Sequence, residues 1–114
     1  MDVRAAYESV GADYDGVVRR LTSEALVERF AGRFLEDKSF ADLKAALAAG
    51  DARGAFLAAH TLKGVCQNLG LTNLEGPASE MTEALRGADE VGRAPELLAA
   101  VEEQYDRLVA ALRA

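Results

Sequence analysis

An all-α fold, an antiparallel up-down four-helix bundle with a short N-terminal helical extension, is predicted by three features of this 114-residue chain. Half of the residues are apolar, and alanine and leucine dominate that half while aromatic and β-branched residues are few, a balance that favours helix over sheet. The apolar positions recur at three- and four-residue spacing in successive segments. Capping residues and glycines separate those segments by short connections, which sets neighbouring helices antiparallel. The length fits one compact domain, with an extension over about 1–21 and the bundle over about 23–114.

Taken in order, Tyr7 and Val10, then Tyr14 and Val17, mark one or two short helices broken at Gly11. Ser23 can cap a helix carrying Leu26, Val27, Phe30 and Phe34. Ser39 can cap the next, with Phe40, Leu43 and Leu47 on one side and Gly50 at its end. Asp51 opens a helix that runs to about Leu69 and closes at Gly70. Thr72 followed by Glu75 is a capping-box pattern, and Leu74, Ala78, Met81 and Leu85 stripe the helix behind it. Pro77 falls in that helix's second turn, where its missing N–H predicts a kink or a delayed start. Pro95 starts the last helix at its first turn, with Leu97, Val101, Tyr105, Leu108 and Leu112 as its apolar face.

Charge and composition exclude several functions. With 13 Lys plus Arg against 19 Asp plus Glu, the net charge of −6 repels phosphate backbones, so no nucleic-acid partner is expected. The basic residues are dispersed among acids, and no apolar run approaches the ~20 residues that span a bilayer, so no membrane association is expected. One histidine and one cysteine provide no zinc set, so no metal site is expected. Cys66 has no partner for an internal disulfide and sits toward the core side of its helix, where it reads as a small buried apolar residue. Together with the absence of a signal-peptide pattern, this predicts a cytoplasmic protein.

The helix opened by Asp51 carries the chemistry. At ~100° of rotation per residue, Ala58, Leu62, Val65 and Leu69 cluster within roughly 40° of the pole opposite His60 and form the predicted buried face. Phe56, Lys63, Gly64 and Gln67 lie within roughly 60° of His60, on the outward side. A neutral imidazole nitrogen is a competent nucleophile near neutral pH. Lys63 can bring a point charge to phosphoryl oxygens, and Gly64 removes the side chain that would crowd the ring. A mid-helix glycine costs about 0.5–1 kcal/mol relative to alanine, so its presence calls for a reason. Phe56, Leu57, Gln67 and Leu71 are candidates for contact with a docking protein.

The run Ala59–Gly70, AHTLKGVCQNLG, resembles the histidine phosphotransfer (HPt) pattern, in which A-H-x-L-K-G is followed after five residues by glycine. His60, Leu62, Lys63, Gly64 and Gly70 match position for position, and Leu71 and Leu74 fit the apolar continuation. The likeness implies a four-helix bundle whose second helix presents the phosphoaccepting histidine, here His60, with Lys63 supporting the phosphoryl group and Gly64 giving access. It implies exchange of phosphate with aspartates of response-regulator receiver domains and with hybrid histidine kinases, the receiver supplying Mg²⁺, so no cofactor is expected on this chain. A monomeric carrier is implied, not an enzyme. Many relatives place a glutamine near the ring from the next helix, where this sequence offers Ser79, Thr82 and Glu83.

Three other readings are separable. Dimerising domains of sensor kinases usually carry an acidic residue directly after the histidine, whereas Thr61 follows here, and no nucleotide-binding glycine pattern appears, so autophosphorylation is not expected. A non-transferring adaptor would bind receivers through the same surface and tolerate loss of His60. A structural bundle would self-associate through its apolar stripes and be indifferent to His60.

Overall fold

Helices begin in the computed structural model, which describes residues 1–114, where a side chain or a turn can satisfy the first free amides. Seven α-helices result: α1 Val3–Val10, α2 Tyr14–Leu21, α3 Glu24–Phe34, α4 Ser39–Ala48, α5 Ala52–Leu69, α6 Thr72–Leu85 and α7 Leu98–Arg113, with a 3₁₀ turn at Ala94–Leu97. There is no strand. Ser23 caps α3 by accepting from the Leu26 amide, and Asp51 caps α5 by accepting from the Gly54 amide at 2.9 Å.

Two expected caps are replaced. Ser39 is itself the buried first residue of α4, and Asp37 Oδ1 accepts from its amide at 2.8 Å. Leu71 occupies the N-cap position of α6 without a side-chain bond, because the Thr72 hydroxyl donates instead to the Gly11 carbonyl at 3.2 Å. The helix then runs through Pro77 without interruption, since proline removes a single intrahelical bond there. Pro95 falls in the 3₁₀ turn, and α7 begins at Leu98, a turn later than the proline suggests.

The bundle proper is α4 to α7. Tight turns at Gly50–Asp51 and Gly70–Leu71 fold α5 back between α4 and α6, and α7 packs on α6. Phe40 of α4 stacks on Tyr105 of α7 at 4.3 Å, and Lys44 meets Glu102 at 2.8 Å, so α7 runs antiparallel to α4 and closes the bundle. Leu43, Leu62, Leu74, Met81, Leu85, Val101 and Leu108 are buried between the four helices. Burying one such side chain stabilises the fold by roughly 1.5–3 kcal/mol. Val65, expected in the buried stripe of α5, is half-exposed, because the buried face of that helix is rotated toward Ala59 and Cys66.

The N-terminal helices join the same core and hold the end of α5. Val3, Ala6, Tyr7, Val10, Tyr14 and Val17 are buried in the one continuous cluster. The last four carbonyls of α5 have no partners within the helix. Here Cys66 O accepts from the Gly70 and Leu71 amides, Arg20 donates to Gln67 O and Asn68 O at 3.1 and 3.3 Å, and the Tyr7 hydroxyl donates to Leu69 O at 2.6 Å. Gly70 takes φ +66°, and a Cβ there would lie 2.8 Å from the Asp13 carbonyl oxygen. Only glycine allows both the left-handed turn and that approach.

Candidate functional site

The turn at Asp51 and the turn at Gly70 fix the two ends of α5, and so the rotation of every side chain between them. Ala59 and Leu62 are fully buried on either side of His60 in sequence, while His60 and Thr61 are exposed. The only histidine of the chain therefore stands in solvent on a helix whose other face is anchored in the core. No protein group hydrogen-bonds either of its ring nitrogens. A nucleophile in this state keeps its lone pair free for an incoming electrophile.

The neighbours fall into two sets. Lys63, half-buried one turn on, makes no ion pair, so its ammonium is uncommitted. No heavy atom lies within 4 Å of where a Cβ on Gly64 would sit, so this glycine is not required by packing. On the other side, Phe56 lies one turn before His60, and the two rings stack at 5.8 Å between centroids with an interplanar angle of 11°. Arg86, at the end of α6, places its guanidinium 5.2 Å from the Phe56 centroid. Glu83 grips Arg86 through both carboxylate oxygens, at 3.0 and 2.9 Å. Those bonds from Arg86 hold the Glu83 carboxyl below the usual carboxylate range, with Lys63 and His60 adding smaller contributions of the same sign.

None of the three α6 side chains at the place of that glutamine, Ser79, Thr82 and Glu83, hydrogen-bonds the ring. Thr82 is fully buried and donates its hydroxyl back to Ala78 O at 2.7 Å, and Glu83 is engaged by Arg86. Ser79, half-buried on the same helix, makes no side-chain hydrogen bond.

The expected docking residues divide. Leu57 is 55% exposed, an unusual state for a leucine, and with Phe56 it borders a cleft of about 560 Å³ between the start of α5 and the end of α6. Gln67 is exposed on the His60 face, one turn beyond Lys63. Leu71 is only 1% exposed and cannot touch a partner. Continuing the α5 helix past Gly70 would bring Leu71 beside His60, but the left-handed turn at Gly70 ends that helix and directs Leu71 into the core.

Sequence reasoning missed Arg86. Its local signal was the i, i+3 pairing with Glu83, which by itself marks an ordinary surface ion pair. Cys66, fully buried, has its thiol pushed up to about 12 by burial, which removes it from nucleophilic chemistry. No group of three or more His, Cys, Asp or Glu side chains is placed to hold a metal, and no helix is long and apolar enough to cross a membrane.

An exposed histidine thus stands on the second helix of an antiparallel four-helix bundle, with a lysine that makes no ion pair and a glycine with open space at its Cβ position beside it. Residues 26–111 match the Hpt domain family, and the chain belongs to that family. Its members serve histidine phosphotransfer in phosphorelays, where they act as carriers between receiver domains and kinases. Comparisons with curated proteins and with solved structures give no match.

Proposed function

We propose that this chain is a phosphoryl carrier in which a nitrogen of His60 takes a phosphoryl group from an aspartyl phosphate of a receiver domain and returns it to another. In the forward step the imidazole nitrogen forms the N–P bond as the bond from phosphorus to the aspartate oxygen breaks. The freed carboxylate stays on the receiver, and the imidazole's other nitrogen carries the ring proton. The observation that carries this reading is the sole histidine, exposed on α5 with both ring nitrogens free of protein hydrogen bonds.

Lys63, which makes no ion pair, contributes a charge for the phosphoryl oxygens at its place one turn along. Gly64 leaves room for the rim of the partner's active site to come down on the ring. Phe56, Leu57 and Gln67 supply contact area around it, as a docking patch requires. The receiver brings Mg²⁺ with its own carboxylates, so the carrier needs no cofactor and performs no autokinase reaction. The chain acts as a monomer in the cytoplasm, with the hybrid kinase and the response regulator as its two kinds of partner.

Incubation with a labelled phospho-receiver, beside a His60→Gln control, tests the reading. Expected is an acid-labile, base-stable adduct on the wild type and none on the variant. Binding without label on the wild type would identify a non-transferring adaptor instead. Neither binding nor label, together with self-association in light scattering, would leave a structural bundle.

A further inference from the structure

The His60 ring has no hydrogen-bonded orienter, yet it is not free to turn without cost. Phe56 is half-buried between α5 and α6, so its ring is held by packing. The His60 imidazole lies almost parallel to that ring, with 11° between the planes. Arg86 comes from a different helix onto the same aromatic ring, and Glu83 locks it there in a two-point contact. The order is therefore imidazole, phenyl, guanidinium, carboxylate, joining α5 to α6 beside the nucleophile.

We propose that Phe56 is the positioning residue of this site, setting the plane of the His60 ring by stacking, with Arg86 and Glu83 bracing Phe56 from α6. This rests on the phosphoryl-carrier reading for its purpose, although the stack itself does not. The terminal torsion of a histidine is broad and two-fold, so an exposed imidazole samples many ring planes. Stacking on a fixed aromatic face narrows that range while leaving both nitrogens unbonded. A hydrogen-bonded orienter would engage one of the two nitrogens and fix the tautomer. The stack offers orientation without that commitment, and a nucleophile already aligned reacts faster than one that must be aligned during encounter. Arg86 adds a cation to the phenyl face, and its two hydrogen bonds to Glu83 favour that placement. The unanswered position on α6, where Ser79, Thr82 and Glu83 leave the imidazole without a hydrogen bond, is thus filled from within α5.

A small phosphoryl donor separates positioning from docking, because phosphoramidate does not touch the surface a receiver would cover. The wild type, Phe56→Leu, Phe56→Tyr and Arg86→Met are each treated with phosphoramidate, and the carbon-bound ring protons of His60 are followed by NMR. Phe56→Leu keeps an apolar side chain but loses the flat face, so its His60 should phosphorylate about two- to fivefold more slowly. Its ring-proton resonances should move toward those of free histidine. Phe56→Tyr restores the flat face and should keep both the wild-type rate and the wild-type resonances. Arg86→Met should give the same changes as Phe56→Leu in smaller measure.

A Phe56→Leu protein that reacts with phosphoramidate at the wild-type rate, and is slow only with receivers, would overturn the proposal and leave Phe56 a docking residue. Unmoved His60 resonances in Phe56→Leu would overturn it as well. A wild-type protein that phosphoramidate leaves unlabelled would contradict the carrier reading instead, while a resonance shift in Phe56→Leu would still uphold the stack.

Discussion

Replacing Tyr7 with phenylalanine removes one hydroxyl from a side chain that is 0% exposed and leaves its ring in place, edge-on to Tyr14 at 5.6 Å. The hydroxyl is the donor to Leu69 O, at 2.6 Å across 62 residues of sequence. That carbonyl is the last of α5, and without the hydroxyl it remains buried with no donor. Leaving a buried acceptor unsatisfied costs about 1–3 kcal/mol, more than the net value of an exposed hydrogen bond. With a urea dependence of about 1.5 kcal/mol per molar, the midpoint of unfolding should fall by about 0.7–2 M at unchanged slope. Arg20 serves two neighbouring carbonyls from an exposed position, where water can replace it, so Arg20→Met should cost less, about 0.5–1 kcal/mol. Urea titration followed by far-UV circular dichroism measures both. A Tyr7→Phe loss below about 0.5 kcal/mol, or an Arg20→Met loss larger than that of Tyr7→Phe, would refute the argument that the N-terminal helices stabilise α5 by capping its buried end.

Gly64→Gln should gain about 0.5 kcal/mol in helix stability, since no atom obstructs its Cβ, and at the same time block transfer from a receiver. Thermal unfolding and a transfer assay on one preparation check the pair of effects, and normal transfer in a folded variant would remove the access argument. Lys63→Ala should slow transfer or shorten the lifetime of the phosphorylated state with little change in circular dichroism; stopped-flow rates and decay curves equal to wild type would take Lys63 out of the site. The raised Cys66 thiol contributes stability that is complete below the usual thiol range and is lost as pH rises from about 9 toward about 12. Cys66→Ala should therefore flatten the alkaline fall of the urea midpoint, and an alkaline limb as steep as that of the wild type would contradict this.

Much of this architecture is legible in one dimension because local and tertiary demands agree. Ser23, Asp51 and Gly70 sit where the helix periodicity starts or stops, and the fold uses each as the pattern suggests. Ser39 and Thr72 carry the same local signal and are used otherwise, since Asp37 lies in reach of the α4 amide and Gly11 offers Thr72 a carbonyl. Such competition between donors depends on what lies nearby in space. Leu71 misleads for a related reason: a helical projection holds only as far as the helix, and Gly70 ends it one residue earlier. The outward set of His60, Lys63 and Gly64 needs nothing beyond 3.6-residue periodicity, and it is found as expected on one side of α5. Arg86 and the Tyr7 cap lie 26 residues after His60 and 62 residues before Leu69, respectively, and no spacing rule reaches them.

Phosphoryl carriage on His60 is tested most directly by ³¹P NMR of the protein after exposure to a phospho-receiver and removal of the receiver. One phosphohistidine resonance is expected on the wild type, none on His60→Gln, and loss of the signal on adding an unphosphorylated receiver with Mg²⁺. A phosphorylated His60→Gln, or a wild-type signal that no receiver with an intact aspartate can discharge, would contradict it.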